Sequence, residues 1–189
     1  MRELTAKDVL ERISKGFPIE NSIVKEKVDT SVLGRCVEAR VVIKDSIFSN
    51  FYSPATQFLE SVFISHTTFL RCTFNYAYFK KGITVAECIF ESYLDFEAGI
   101  HNEDGQFILN GNEFKRFVNF FDCCFKGEIH VTKNKFEFGT NLLGNKGMYY
   151  EPSFKFPPIV ENNKGPVDLD GEGDREDNMI FYKNKKDSS

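Results

Sequence analysis

The chain has 189 residues, 41% of them hydrophobic and 28% charged, with a formal net charge of −4. This length sets one domain with room for a sizeable core, and the aromatic content excludes a disordered chain. No run of about 18 apolar residues exists, which excludes a membrane-spanning helix. The acidic balance argues against non-specific nucleic-acid binding, which needs a basic face. The expected partners are therefore a protein or a second copy of the chain, with neither nucleic acid nor membrane involved.

In chain order, residues 1–18 read as a short N-terminal capping helix. Thr5 is placed to cap it with Asp8 at the capping-box position, Val9, Leu10 and Ile13 form an apolar stripe, and Lys15-Gly16 followed by Pro18 ends it. The segment from Met1 to Asp8 has no apolar signal region, so a cytoplasmic location is expected. The cysteines, Cys36, Cys72, Cys88, Cys123 and Cys124, are odd in number and show no CxxC spacing. Buried, reduced thiols are expected rather than a disulfide framework or a zinc site.

From Ile19 the helical period disappears and a long repeat takes over. The pairs Val41/Ile43, Val62/Ile64, Ile83/Val85, Phe107/Leu109 and Ile129/Val131 recur at spacings of 21, 21, 24 and 22. A second column, Phe48, Phe69, Phe90, Phe114 and Phe136, keeps the same spacings. A third holds Phe74, Phe96, Phe120 and Leu142, and a partial fourth holds Phe58, Phe79 and Phe125. A shared period of this size with no helical window describes a solenoid whose short strands pair in parallel with their equivalents one coil on. The expected fold is all-β, a right-handed parallel β-helix over residues 19–144. The chain carries 21 Phe and no Trp. That surplus is explained as interior filler, because an indole N–H needing a partner does not repeat well inside stacked coils. The cluster His101-Asn102-Glu103-Asp104-Gly105 in the 24-residue coil reads as a corner insertion.

A finer period lies inside the coils. Phe58, Phe63, Phe69, Phe74 and Phe79 are each preceded two residues earlier by Thr56, Ser61, Thr67, Cys72 and Ala77. Over roughly residues 40–143 this resembles the pentapeptide-repeat family, and the opening segment resembles the leader helix that often precedes such repeats. The coils are longer than four times five residues, and Asn112 and Asn134 take the small position later on, so a less regular β-helix stays open. The resemblance implies inward-pointing central and small residues with tight corners. For function it implies less: many such proteins have no known activity, and some are similar to a DNA duplex in shape and charge and bind type II topoisomerases.

Residues 145–189 are expected to form an irregular C-terminal cap and an acidic tail. Tyr149, Tyr150, Phe154 and Phe156 are placed to pack over the last coil, and Met179 to Tyr182 could form a final strand. The segment 165–178 reads as a solvated acidic loop. A calcium loop opening at Asp168 would have Gly173 at its sixth position, but Met179 stands where a ligating Glu is needed. His66, His101 and His130 occupy different columns and are expected at the surface. Asp95 and Asn119 are expected to face outward one coil apart. They form a lone column rather than the paired carboxylates of a carbohydrate-cleaving β-helix, the enzyme alternative. The charges of the coil region are mixed, unlike a duplex-like acidic face. The expectation is a non-catalytic scaffold or protein-interaction module with no cofactor and no metal. Phe51, Tyr52, Tyr76 and Phe121 fall outside the inward columns and are expected either to form an exposed aromatic patch or to line corners.

Overall fold

The computed structural model describes residues 1–173. Asp174, the expected strand Met179–Tyr182 and the segment Lys183 to Ser189 lie outside the described residues. The described chain is a parallel β-helix. Its helix, Ala6–Lys15, is capped by Thr5 through a capping box with Asp8 and ends at Gly16 in the left-handed conformation. Val9 and Ile13 are fully buried, and the helix packs on the strand Ser22–Asp29. Ahead of it, Arg2–Glu3 pairs in parallel with Ser22 and Ile23.

Each coil has four sides. Side 1 holds the four-residue strands Val41–Lys44, Val62–Ser65, Ile83–Ala86, Phe107–Asn110 and Ile129–Thr132, with Ile159–Glu161 after them and Ile19–Glu20 before. Side 2 carries Phe48, Phe69, Phe90, Phe114 and Phe136 in register. Side 3 carries Phe51, Cys72, Leu94 and Val118. Side 4 carries Val37, Phe58, Phe79, His101, Phe125 and Phe154. Strands of equal position lie about 4.8 Å apart, so each inward side chain rests on its equivalent. The rings of the side 2 column stack at centroid distances of 5.4, 5.2, 5.2 and 4.8 Å. Burying each such Phe contributes about 2–3 kcal/mol.

Coil pairing does not stop at Gly144. Ser153–Phe154, Ile159–Glu161 and Lys164 continue sides 4, 1 and 2. The period hides this sixth coil because the turns of residues 145–152 lengthen it, and Phe154 falls 29 residues after Phe125.

The coils turn at residues with positive φ. One corner stacks Asp45, His66, Glu87, Gly111 and Lys133, and another stacks Ala55, Tyr76, Ala98 and Asp122. Beside the first corner runs a column of small polar residues that point inward. The Ser46 and Thr67 hydroxyls and the Cys88 thiol donate to backbone carbonyls two residues back, at 2.7, 2.8 and 3.3 Å. Asn112, Asn134 and Asn163 then form an amide ladder, each Nδ2 donating to the next Oδ1 at 2.9 and 3.0 Å. The same oxygens accept the backbone N–H of Asn112 and Asn134 at 2.9 Å.

The corner geometry sets opposite outcomes for two alanines. Ala55 is exposed at φ 50°, a conformation that costs an L-residue about 1–2 kcal/mol. Ala77 is buried in a neighbouring corner column and is not left-handed. Ala55→Gly is expected to raise stability by about 0.5 kcal/mol once the entropy of glycine is subtracted, and Ala77→Gly to lower it by about 1 kcal/mol. Urea midpoints of the two variants check this, and equal shifts would contradict it.

Candidate interaction face

Side 1 keeps a four-residue strand in each of five successive coils, and alternation along them decides which residues face out. Val62 and Ile64 are buried, so Phe63 between them points outward. The same holds for Val42 between Val41 and Ile43, and for Ile108 between Phe107 and Leu109. Register places Val42, Phe63, Thr84, Ile108, His130 and Ile159 in one outward column. Six rungs make a stripe about 24 Å long. It is apolar at four rungs, and Ile159 is 42% exposed. The flanks are polar. Lys44 Nζ lies 5.3 Å from the centre of the Phe63 ring, Lys81 pairs with Glu60 at 2.6 Å, and Gln106 Nε2 donates to Glu128 at 2.7 Å.

Phe63 therefore departs from the inward role implied by the five-residue period, because the adjacent Val62 and Ile64 are the pair that fills the interior. The signal for this stripe is present in the chain as three consecutive apolar residues, Val41-Val42-Ile43, Val62-Phe63-Ile64 and Phe107-Ile108-Leu109. In a strand the middle one cannot share the core with its neighbours.

The outward face of side 2 carries Ile47, Thr68 and Ile89 in its earlier coils and takes the opposite character in the later ones. Lys115 and Lys135 bridge Glu113 and Glu137 at 2.6–3.2 Å. Hydrogen bonds from Lys115 and Lys135 pull the Glu113 carboxyl down to about 2.

The four aromatics expected as a patch are not brought together. Phe51 is buried, since side 3 turns it into the core against Phe48 and Phe69. Tyr52 is covered by Lys27, whose Nζ lies 3.7 Å from the ring centre. Tyr76 is 55% exposed at a left-handed corner. Phe121 lies two coils further on and stacks on Tyr150 at 4.0 Å.

Asp95 and Asn119 do stack, in the outward column that Tyr52 and Thr73 begin on side 3. Both are buried, and Asn119 Nδ2 donates to Asp95 Oδ1 at 3.0 Å while Asn141 Nδ2 donates to Asn119 Oδ1 at 2.8 Å. The Glu97 N–H also donates to Asp95 Oδ1. Alternation holds, since Leu94, Phe96, Val118 and Phe120 on either side fill the core, and the pair is buried where the segment 165–173 reaches the neighbouring Tyr93 and Asn141. His66 and His130 lie at the surface, 2.8 Å from Glu87 and 3.3 Å from Glu128. His101 is fully buried, contrary to its expected corner exposure. It holds the side 4 position that Phe fills in the adjacent coils, and the turn begins only at Asn102, whose φ is 49°. All five cysteines are free thiols, and burial pushes the Cys88 thiol up to about 12.

The acidic segment is docked over its described part. The N–H groups of Thr140 and Leu143 donate to Pro166 and Val167, and the Leu169 N–H donates to Thr140. Asp170 accepts from the Asn145 N–H at 2.7 Å, and the Tyr93 hydroxyl donates to the Glu172 carbonyl at 2.8 Å. This strap lies flat because Gly139 and Gly144 carry no side chain, and a Cβ on Gly144 would collide with the Leu169 carbonyl. Gly144→Ala is expected to lift the strap, lower stability by about 2 kcal/mol and open residues 165–173 to protease. Proteolysis mapped by mass spectrometry, together with a melting curve, checks both effects.

No protein-family model, no curated protein and no solved structure matches this chain.

Proposed function

We propose that the chain is a non-catalytic β-helical scaffold of the pentapeptide-repeat type that docks a protein partner on side 1. The observation that carries this reading is the outward column of Val42, Phe63, Ile108 and Ile159 within a polar surround. An apolar stripe with a polar rim is the composition of an interface centre. The stacked columns support the scaffold role, because they hold each rung of the stripe at a set height. The four-sided coils and the two left-handed corner columns support the family reading. The five free thiols, Cys36 exposed among them, suit a reducing compartment such as the cytoplasm.

The test places a photo-crosslinking benzoylphenylalanine at Thr84, in the middle of the stripe, and separately at Glu91, which is exposed on the ion-paired side. A protein adduct is expected at Thr84 and not at Glu91. Unlabelled wild-type chain should compete it away, and the double variant Phe63→Asp, Ile108→Asp should compete at least about ten-fold more weakly. Both substitutions point outward, so the circular dichroism of the double variant should match wild type. No adduct at Thr84, or equal adducts at the two sites, would overturn the proposal.

A further inference from the structure

Side 4 stacks aromatic rings coil on coil, with one exception. Phe58 lies on Phe79 at 5.1 Å and Phe125 lies on Phe154 at 5.2 Å, but His101 stands between the two pairs. Its ring centroid is 5.6 Å from Phe79, 5.1 Å from Phe125, 5.1 Å from Phe107 and 6.0 Å from Phe96. The side chain is 0% exposed, and among the described residues neither Nδ1 nor Nε2 has a hydrogen-bond partner. Either tautomer of a neutral imidazole then leaves one donor and one acceptor unmet. Gly99 makes the space, since a Cβ there would run into Cε1 and Nε2 of the ring.

We propose that His101 is an acid-operated release point: proton uptake by its imidazole parts the coils held together at Phe79, His101 and Phe125. The elements packed on the ring offer no counter-charge. From sides 3, 4 and 1 it meets Phe96, Phe79, Phe125 and Phe107, and burial alone accounts for a pKa held down at about 3. The neighbouring thiol Cys123 donates to the Phe96 carbonyl, and Tyr78, on the same strand as Phe79, is directed outward to Glu103. The joint between coils here is the set of N–H donors of Asn102 to Phe79, Cys124 to Gly99 and Lys126 to His101, at 2.8–3.1 Å. In the unfolded or parted chain the imidazole titrates near 6.5 and in the closed coil near 3, so stability is full above pH 6.5 and falls as pH drops toward 3. This inference stands apart from the proposed partner face.

The experiment is urea unfolding of wild type and His101→Phe at pH 7.5 and pH 5.0, with His130→Gln as a control for the exposed imidazoles. Between these values the wild-type unfolding constant should rise about 30-fold more than that of His101→Phe, and His130→Gln should follow wild type. Equal pH dependence in wild type and His101→Phe overturns the proposal. Should His101→Phe fail to fold, imidazole nitrogen shifts of the wild type decide: a neutral His101 in the folded protein at pH 5 upholds it. Titration in the folded state near pH 6.5, with the surrounding rings stabilising the cation, overturns it. Hydrogen exchange adds where the coils part, with protection at Asn102, Cys124 and Lys126 expected to fall first on acidification.

Discussion

Parallel pairing at a rung spacing of about 4.8 Å puts every side chain against its own equivalent in the next coil, and the rest of the structure depends on that repetition. A position that is inward once must be inward at each turn, so its occupants must tolerate contact with themselves. Phe does so as offset stacks, which explains the columns that run through Phe69 and Phe90, Phe96 and Phe120, and Phe58 and Phe79. Asn does so as an amide ladder, in which one oxygen serves both a side-chain and a backbone donor of the coil before it. Ser, Thr and Cys instead bond their own backbone. These are three solutions to one geometric demand, and the corner beside side 2 changes from the last to the second as it passes from Ser46 to Asn163.

The same demand applies outside, where solvent relaxes it. Side 2 meets it with Ile47, Thr68 and Ile89 in the earlier coils and by alternating sign in the later ones, where Lys115 and Lys135 each hold two carboxylates. Side 1 meets it with unlike neighbours, Val42, Phe63, Thr84 and Ile108, none of which neutralises another. The first surface turns to ion pairs from Glu113 onward, whereas the second carries Ile108 and Ile159 through the same coils. That difference makes side 1 rather than side 2 the candidate face.

Much of this was legible in the chain. The columns headed by Phe48 and Phe74, the coil lengths and the helix from the Thr5 cap to the Gly16 stop all follow from period and capping chemistry. What escaped did so for physical reasons. The period marked Phe63 as interior because a five-residue rule does not know that side 1 has four-residue strands. Asp95 and Asn119 face outward as alternation requires, but their burial beside Gly171 and Glu172, a segment distant in sequence, leaves no mark in the period. The gap in the fourth column between Phe79 and Phe125 is occupied by His101, whose polarity disguised it as a turn residue. The acidic count of 165–178 points to solvent, and Asp168 and Asp170 are exposed, but charge does not report the backbone bonds and the Gly139 and Gly144 contacts that hold the described part in place.

The coil length also governs how such a chain can fold. Nearly every strand pairs with one 21–24 residues away, a relative contact order of about 0.12 for this chain, near the fast end for β-rich proteins. Loop-closure entropy is therefore almost the same for each added coil, and no pairing has to wait for a distant segment. Structure can spread coil by coil from any pair already formed, as in other linear repeat arrays. During synthesis, each further stretch of about 22 residues completes one more layer on those already made. The sixth coil, with its longer approach through residues 145–152, is then the slowest to close.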